Sequence, residues 1–208
     1  MSNLFMQTSS WIPYLKYGER NYYKRKSVIY QEKEDGCNGF YYLKQGLVKV
    51  SSTIHTGEEN IIDIVCNEKS FGEQSVDGEL YFSTATAIED SVVYFFPYKN
   101  IEPVLERDAQ FKMLIYTNLT EKLKTLSNNV LFHTLHSEKL LARTILTLRE
   151  KFVSKQIPFT QQELCCYTNL NRTTIYNIFK KWDNDVVYLT NRNIIINNTE
   201  ALIEIAAI

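Results

Sequence analysis

Between residues 27 and 96, apolar and polar positions alternate over short runs; beyond Pro97 the apolar residues recur every three or four positions. The first pattern predicts strands at 27–31, 40–44, 47–52, 60–65, 84–88 and 92–96. Gln45-Gly46 joins the second strand to the third, His55-Thr56-Gly57 follows, and Phe71-Gly72-Glu73 interrupts the series. Many short strands with close turn signals suggest a barrel or double-sheet roll rather than a parallel sheet. All seven glycines lie before residue 79, which fits turn-rich β structure followed by helices. Ahead of the strands, Ser10-Trp11-Ile12-Pro13 suits the start of a short helix, and the basic run after Tyr22 reads as solvated surface.

The second pattern predicts a short helix at 101–105, a long one at 108–136, and a third at 137–152. In the long helix Tyr116, Leu119, Leu123, Leu126, Val130 and His133 follow alternating spacings of three and four, a heptad seam. An isolated helix of this length has two apolar sides to cover, one against the roll and one against a twin. The expectation is a parallel homodimer through this seam; the alternative is a helix packed within a monomer.

Residues 159–183 carry the chemistry. Thr160-Gln161-Gln162-Glu163 is a capping box, so a helix runs from there to about Tyr167. Thr168-Asn169-Leu170 makes the turn, Asn being one of the few residues that tolerates positive φ. Asn171 caps a second helix with Ile175, Ile178, Phe179 and Trp182 on one face. Arg172, Thr173, Tyr176, Asn177 and Lys180 are left outside, with Asn171 and Thr174 at the start and Lys181 further along. Arg bonds a guanine edge, Asn an adenine edge, and Thr offers a hydroxyl and a methyl, which suits a helix reading bases. Lys180 and Lys181 would pass phosphates, and Thr160 and Gln161 would touch backbone oxygens. An ordinary αα-hairpin with a polar face is the alternative. Residues 186–197 read as two strands about Asn191-Arg192-Asn193, with Arg192 at the tip beside a phosphate, and 199–206 as a closing helix.

The chain has 208 residues, 44% hydrophobic and 23% charged, enough for one large or two small domains. No apolar run approaches 18 residues and the N-terminus lacks a signal-peptide pattern, so a cytoplasmic protein with no membrane partner is expected. The net charge is −1. From Ser137 on, nine Lys and Arg stand against seven Asp and Glu, while the rest has 14 against 17, a mild basic bias where the base-reading helix lies. Cys37, Cys66, Cys165 and Cys166 form no C-x-x-C and no zinc spacing and read as thiols, Cys165 a small packed residue between two helices. A cupin-like enzyme needs clustered histidines; His55, His133 and His136 are scattered with no H-x-H, so no catalysis and no metal is expected.

A β-roll, a long helix and a winged helix in this order resemble the Crp/Fnr family of transcription regulators. The resemblance rests on Gly46-Leu-Val-Lys-Val50, Phe71-Gly72-Glu73, Ala85-Thr-Ala-Ile-Glu89 and residues 160–182. It implies an α+β chain. Residues 1–107 would form an antiparallel β-roll sensor domain (double-stranded β-helix, jelly-roll-like), 108–136 a dimerisation helix, and 137–208 a winged helix-turn-helix. It also implies a homodimer on a double-stranded, pseudo-palindromic operator, with RNA polymerase as a further partner. Arg172, Thr173 and Asn177 fall at the base-contacting positions; Arg172 matches the family's usual residue, whereas Thr173 and Asn177 replace Glu and Arg. Asn169 stands in place of Gly and Cys165 in place of Ala.

For the effector, Phe71, Gly72, Glu73, Phe82, Ser83, Thr84, Leu123, Leu126 and Ser127 mark the corresponding site. Phe82 stands where cyclic-AMP-binding members carry the arginine that compensates the phosphate. The implied effector is therefore a small uncharged organic molecule rather than cyclic AMP, bound between the β-roll and the long helix, with an effector-independent or a cyclic-nucleotide-responsive regulator as alternatives. No iron–sulfur cluster is implied, because Cys37 and Cys66 do not supply one, and no resident cofactor is expected.

Overall fold

A computed structural model describes residues 10–53, 57–75, 77–152 and 154–207; His55 and Thr56 of the expected turn lie outside them. Two compact units divide the chain, residues 1–52 with 63–124 and residues 53–62 with 125–208. One boundary falls inside a helix.

Eight strands come first: β1 (Glu19–Tyr23), β2 (Val28–Tyr30), β3 (Gly39–Gln45), β4 (Val48–Thr53), β5 (Glu59–Val65), β6 (Lys69–Phe71), β7 (Thr84–Ala87) and β8 (Ser91–Pro97). They form two four-stranded sheets, ordered β1-β8-β3-β6 and β2-β7-β4-β5. This is the expected antiparallel roll. β3 pairs with β8 in the register Phe40 to Phe96 and Tyr41 to Phe95, and with β6 through Tyr41 and Phe71.

The strand period of two sends neighbouring aromatics to opposite faces of the first sheet. Tyr41 and Phe71 point into the roll, where their rings stack at 5.3 Å and Tyr30 stacks on Tyr81 at 4.1 Å. Phe40, Tyr42 and Phe96 point outward and meet Trp11, whose ring lies 4.8 Å from Tyr42 and 5.7 Å from Phe40. Trp11 is the N-cap of a 3-10 turn (Ile12–Tyr17) with proline near its start, the short helix foreseen at Pro13. At Gly46 φ is +112° and an added Cβ would come within 2.2 Å of Ser91 Oγ, so the β3–β4 turn admits no side chain.

Two expectations need correction, and one strand goes beyond the expected six. β1 precedes Lys24, Arg25 and Lys26, which are exposed as the basic run was read; its own outer residues are exposed, and its backbone pairs with β8 from Glu19–Phe95 to Tyr23–Ser91. The short helix, α1, runs Tyr98–Arg107 rather than 101–105, accommodating Pro103 inside it. The long helix, α2, spans Ala109–Phe132 and stops four residues before His136. Tight turns from Leu131 O to Thr134 N and from Phe132 O to Leu135 N, with Thr134 Oγ1 donating to Leu131 O, end it there.

Asp108 starts α2. Its Oδ1 accepts from the amides of Gln110 and Phe111 at 2.9 and 3.0 Å, and its Oδ2 accepts from the Tyr14 hydroxyl. Those amide bonds, the Phe111 one foremost, hold the Asp108 carboxyl below its ordinary range. Phe111, Leu114 and Asn118, at steps of three and four, are the buried face of α2.

The second unit holds α3 (Ser137–Phe152), β9 (Gln156–Ile157), α4 (Gln161–Thr168), α5 (Arg172–Val186), β10 (Val187–Leu189), β11 (Ile194–Ile196) and α6 (Thr199–Ala207). The strands form a sheet ordered β10-β11-β9. Ile145, Leu148, Ile157, Phe159, Leu164, Ile175, Ile194 and Leu202, none with measurable exposure, fill its core. Arg143 Nε donates to Ala206 O at 3.0 Å, holding α6 to α3.

Candidate functional site

The helix pair α4–α5 is set by short-range chemistry. Thr160 Oγ1 accepts from the Glu163 amide at 3.2 Å, and Glu163 Oε2 accepts from the Thr160 amide at 2.7 Å: both halves of the capping box are closed. Asn169 sits at φ 57°, ψ 20° and its amide donates to Cys165 O. Asn171 Oδ1 accepts from the Thr174 amide at 2.7 Å and caps α5. Gln161 Nε2 donates to Arg172 O at 3.1 Å, tying the start of α4 to the start of α5. Cys165 is half-buried here, and burial pushes its thiol up, which keeps it protonated.

α5 is two-faced. Ile175, Ile178, Phe179 and Trp182 are buried, while Asn171, Arg172, Thr173, Tyr176, Asn177, Lys180 and Lys181 are exposed and Thr174 is half-buried. Helical geometry breaks at Asp183, at φ 53°, just after Trp182. The exposed row therefore spans about three turns, the length a helix presents in a major groove. Thr160 and Gln161 flank it and are half-buried. The strands β10 and β11 pair antiparallel, and Thr190 closes the turn between them through its backbone and Oγ1 to Asn193 O, leaving Arg192 exposed at the tip.

One partner of this face carried no signal in the sequence. Glu138, at the start of α3, accepts from Lys181 Nζ at 2.6 Å and from Trp182 Nε1 at 2.9 Å. Its partner lies 43 residues away, a separation no local pattern exposes. Lys181 is thus engaged within the unit, and Lys180 is the exposed cation beside it. The Lys181 bond, then that of Trp182, holds the Glu138 carboxyl below the ordinary range. A depressed folded value means the contribution is present above the unfolded glutamate pKa, near 4.3, and is lost as pH falls through the folded value. Glu138→Gln is expected to lower stability by about 1 kcal/mol at pH 7. Melting curves of both proteins at pH 7 and pH 3 check this: the gap closes at the lower pH.

The seam positions lie along the outer side of α2. Tyr116, Leu119, Leu123, Leu126 and Val130 are all exposed, Leu123 and Val130 by 64% and 69%. His133 is exposed too, but in the turn beyond the helix end. Large apolar side chains at this spacing, bare on one face, are a row of knobs without holes.

The positions marked for an effector differ in their surroundings. Phe71 is buried inside the roll, and Gly72, at φ 76°, turns the chain after it with the Tyr41 ring 2.8 Å from any added Cβ. Glu73 forms an ion pair with Lys122 of α2 at 2.5 Å. Phe82 is 64% exposed, whereas Ser83 is fully buried and accepts from Gln74 Nε2 at 2.7 Å. Thr84 Oγ1 accepts from the Glu32 amide. Leu123, Leu126 and Ser127 are exposed on α2. Inside the roll the Tyr30–Tyr81 and Tyr41–Phe71 stacks occupy the space, and burial pushes the Tyr30 and Tyr41 hydroxyls far above their usual values, so both stay neutral. Gln74 Nε2 also donates to Tyr30 OH. Gln74 and Lys122 are contacts the sequence did not single out.

The family model of the cyclic nucleotide-binding domain matches residues 20–108, which take in the roll from the second residue of β1 onward. Residues 20–108 are thus similar to a cyclic nucleotide-binding domain, on a chain with the Crp/Fnr fold. Solved structures that share this fold include a CRP-family transcriptional regulator from Thermus thermophilus, at TM-score 0.78 and 20% identity over 89% of this chain and 96% of that one. The c-di-GMP responsive global regulator CLP of Xanthomonas campestris matches at TM-score 0.77 and 13% identity, covering 89% and 97%. FixK2 from Bradyrhizobium japonicum matches at TM-score 0.77 and 18% identity, covering 92% and 98%. No curated protein matches the sequence. At these identities the Crp/Fnr fold is common ground and individual side chains are not. No described helix is long and apolar enough to cross a membrane, and no three His, Cys, Asp or Glu among the described residues are grouped to hold a metal ion.

Proposed function

We propose that this chain is the subunit of a homodimeric DNA-binding transcription regulator of the Crp/Fnr type, controlled by a small organic effector other than cyclic AMP. The observation that carries the reading is the exposed row on α5, Arg172, Thr173, Tyr176, Asn177 and Lys180, on a helix whose large aliphatic residues and Trp182 are buried. Its first turn offers groups that pair with base edges, and its later turns and Arg192 offer phosphate contacts. The bare apolar row on α2 supports pairing of two copies. Two-fold symmetry then places half-sites about one helical turn apart, roughly 34 Å. Regulators of this fold act at promoters, so RNA polymerase is the expected further partner.

Two features favour an effector other than cyclic AMP. Aromatic stacks fill the roll interior, and Phe82 supplies no cation beside Ser83. A buried phosphodiester there would go uncompensated. An effector shifts the regulator only by its differential affinity for two states.

Fluorescence anisotropy on the DNA upstream of the protein's own coding sequence, beside a scrambled duplex, tests the reading, with cyclic AMP and phenolic compounds as additions. Binding should prefer the native duplex. Arg172→Ala should cost about 1–3 kcal/mol and relax preference at one base per half-site. Equal loss on every sequence would make Arg172 a phosphate contact. Equally weak binding to both duplexes under all conditions overturns the proposal.

A further inference from the structure

An α-helix turns by about 100° per residue, so residues four apart lie nearly above one another. On α5 this sets two parallel ridges: Arg172, Tyr176 and Lys180 form one, Thr173 and Asn177 the other. All five are exposed, while Ile175, Ile178, Phe179 and Trp182 fill the opposite side. Gln161 bonds only the backbone carbonyl of Arg172, and Asn171 only the Thr174 amide. Among the described residues, the side chains of Arg172, Thr173, Tyr176 and Asn177 make no hydrogen bond or ion pair, so their polar groups face solvent ready for a duplex. From Arg172 to Asn177 the helix rises about 7.5 Å, and base pairs are stacked about 3.4 Å apart, so with their reach these four side chains cover about three base pairs.

The chemistry on the two ridges does not suit all base pairs equally. A guanine edge offers two acceptors, and Arg172 is the only guanidinium on the row. An adenine edge offers an acceptor beside a donor, which an amide matches and a cation does not; Asn177 supplies that amide. Thymine presents a methyl group, and the Thr173 methyl and the Tyr176 ring are the apolar surfaces at this end of the row. Reading cytosine takes a carboxylate that accepts from its amino group, and the row has none: the first acidic residue of α5 is Asp183, where helical geometry breaks. Lys180 stands two turns beyond Arg172, about 12 Å along the axis, at the end that leaves the groove for the phosphates.

We propose that this chain selects an A·T-rich half-site: one G·C pair, set by Arg172, beside at least two A·T pairs, one chosen by Asn177 through its adenine and one by Thr173 and Tyr176 through its thymine methyl. The proposal rests on the DNA-binding reading above and deepens it by naming the class of sequence bound. The two bidentate pairs dominate the selection, because each discriminates by about 5- to 150-fold against the wrong base. Lys180 and Arg192 add affinity without regard to sequence.

The test is selection from a random duplex library by the purified full-length protein at low salt, with sequencing of the bound duplexes and anisotropy titration of the enriched site. The enriched half-site should hold one G·C pair with A·T pairs beside it. Asn177→Arg should convert one A·T position per half-site to G·C and leave the others, and Asn177→Ala should lose preference at that same position alone. Thr173→Glu should bring in cytosine at a second position. Replacing the selected adenine in one half-site should weaken the unaltered protein by about 5- to 150-fold and Asn177→Ala by less than about twofold. All three positions are changed on the exposed side of α5, and circular dichroism checks that each variant is folded. A half-site with two or more G·C pairs, or a motif that both Asn177 variants leave unchanged, overturns the base assignment and keeps the regulator. No enriched sequence at all overturns the DNA-binding reading, and the assignment with it.

Discussion

Leu123→Glu is expected to leave the chain folded and to convert the proposed dimer to a monomer. Leu123 is 64% exposed within one chain, so the substitution removes little from its own packing, and stability should stay within about 0.5 kcal/mol. In a parallel seam the same position meets itself across the two-fold axis, so two carboxylates would be brought together in a layer built for leucines. Light scattering should show the mass halved with the circular dichroism spectrum kept. Operator binding should fall by roughly 100- to 10,000-fold, because the second half-site is no longer held at high effective concentration. Retention of the dimer would place the pairing surface elsewhere and leave the bare row on α2 without a partner.

Phe111→Ala is expected to be the most destabilising single change in the roll unit. Phe111 has no exposed surface, its ring lies 4.6 Å from Tyr14 and 6.0 Å from Trp11, and it opens the buried face of α2. Truncating a buried Phe costs about 3–5 kcal/mol from lost transfer energy plus the cavity left behind. Against a typical total of about 5–15 kcal/mol this is a large share. Urea titration followed by tryptophan emission measures it. A loss under about 1 kcal/mol would mean that Trp11 and Tyr14 close over the gap.

The α4–α5 pair was legible because its determinants are local. A capping box, an Asn at positive φ, an Asn cap and a 3-4 spaced apolar face all fall within residues 160–182, and each appears as expected. The six expected strands were legible for a similar reason, alternation or apolar runs bounded by turn residues. β1 was not: Glu19, Arg20, Asn21 and Tyr22 are exposed, so no apolar period marks it, and only backbone pairing to β8 makes it a strand. β6 and β9 are three and two residues long and run directly into Gly72 and Pro158, so they read as parts of turns. The end of α2 was misplaced because His133 and Leu135 continue the apolar rhythm after backbone turns have stopped the helix. Of the marked effector positions, Glu73 alone lines a cavity of about 260 Å³ between the first sheet and the helices α1 and α2, whose walls come from segments spread from residue 40 to residue 119. No linear pattern encodes such a space; it follows from which side of β3 and β6 each residue faces.

The two compact units are not consecutive stretches of chain. The polypeptide passes from one to the other after residues 52, 62 and 124, the last within the helix that carries the pairing row. A gene fusion with a single joint near residue 124 would therefore inherit residues 53–62 from the wrong parent. Exchanging sensor halves among relatives of this fold calls for two further joints, around 52 and 62, so that this short segment travels with residues 125–208. Chimeras that respect all three crossings are expected to fold, and those that respect only the helix joint to lose expression.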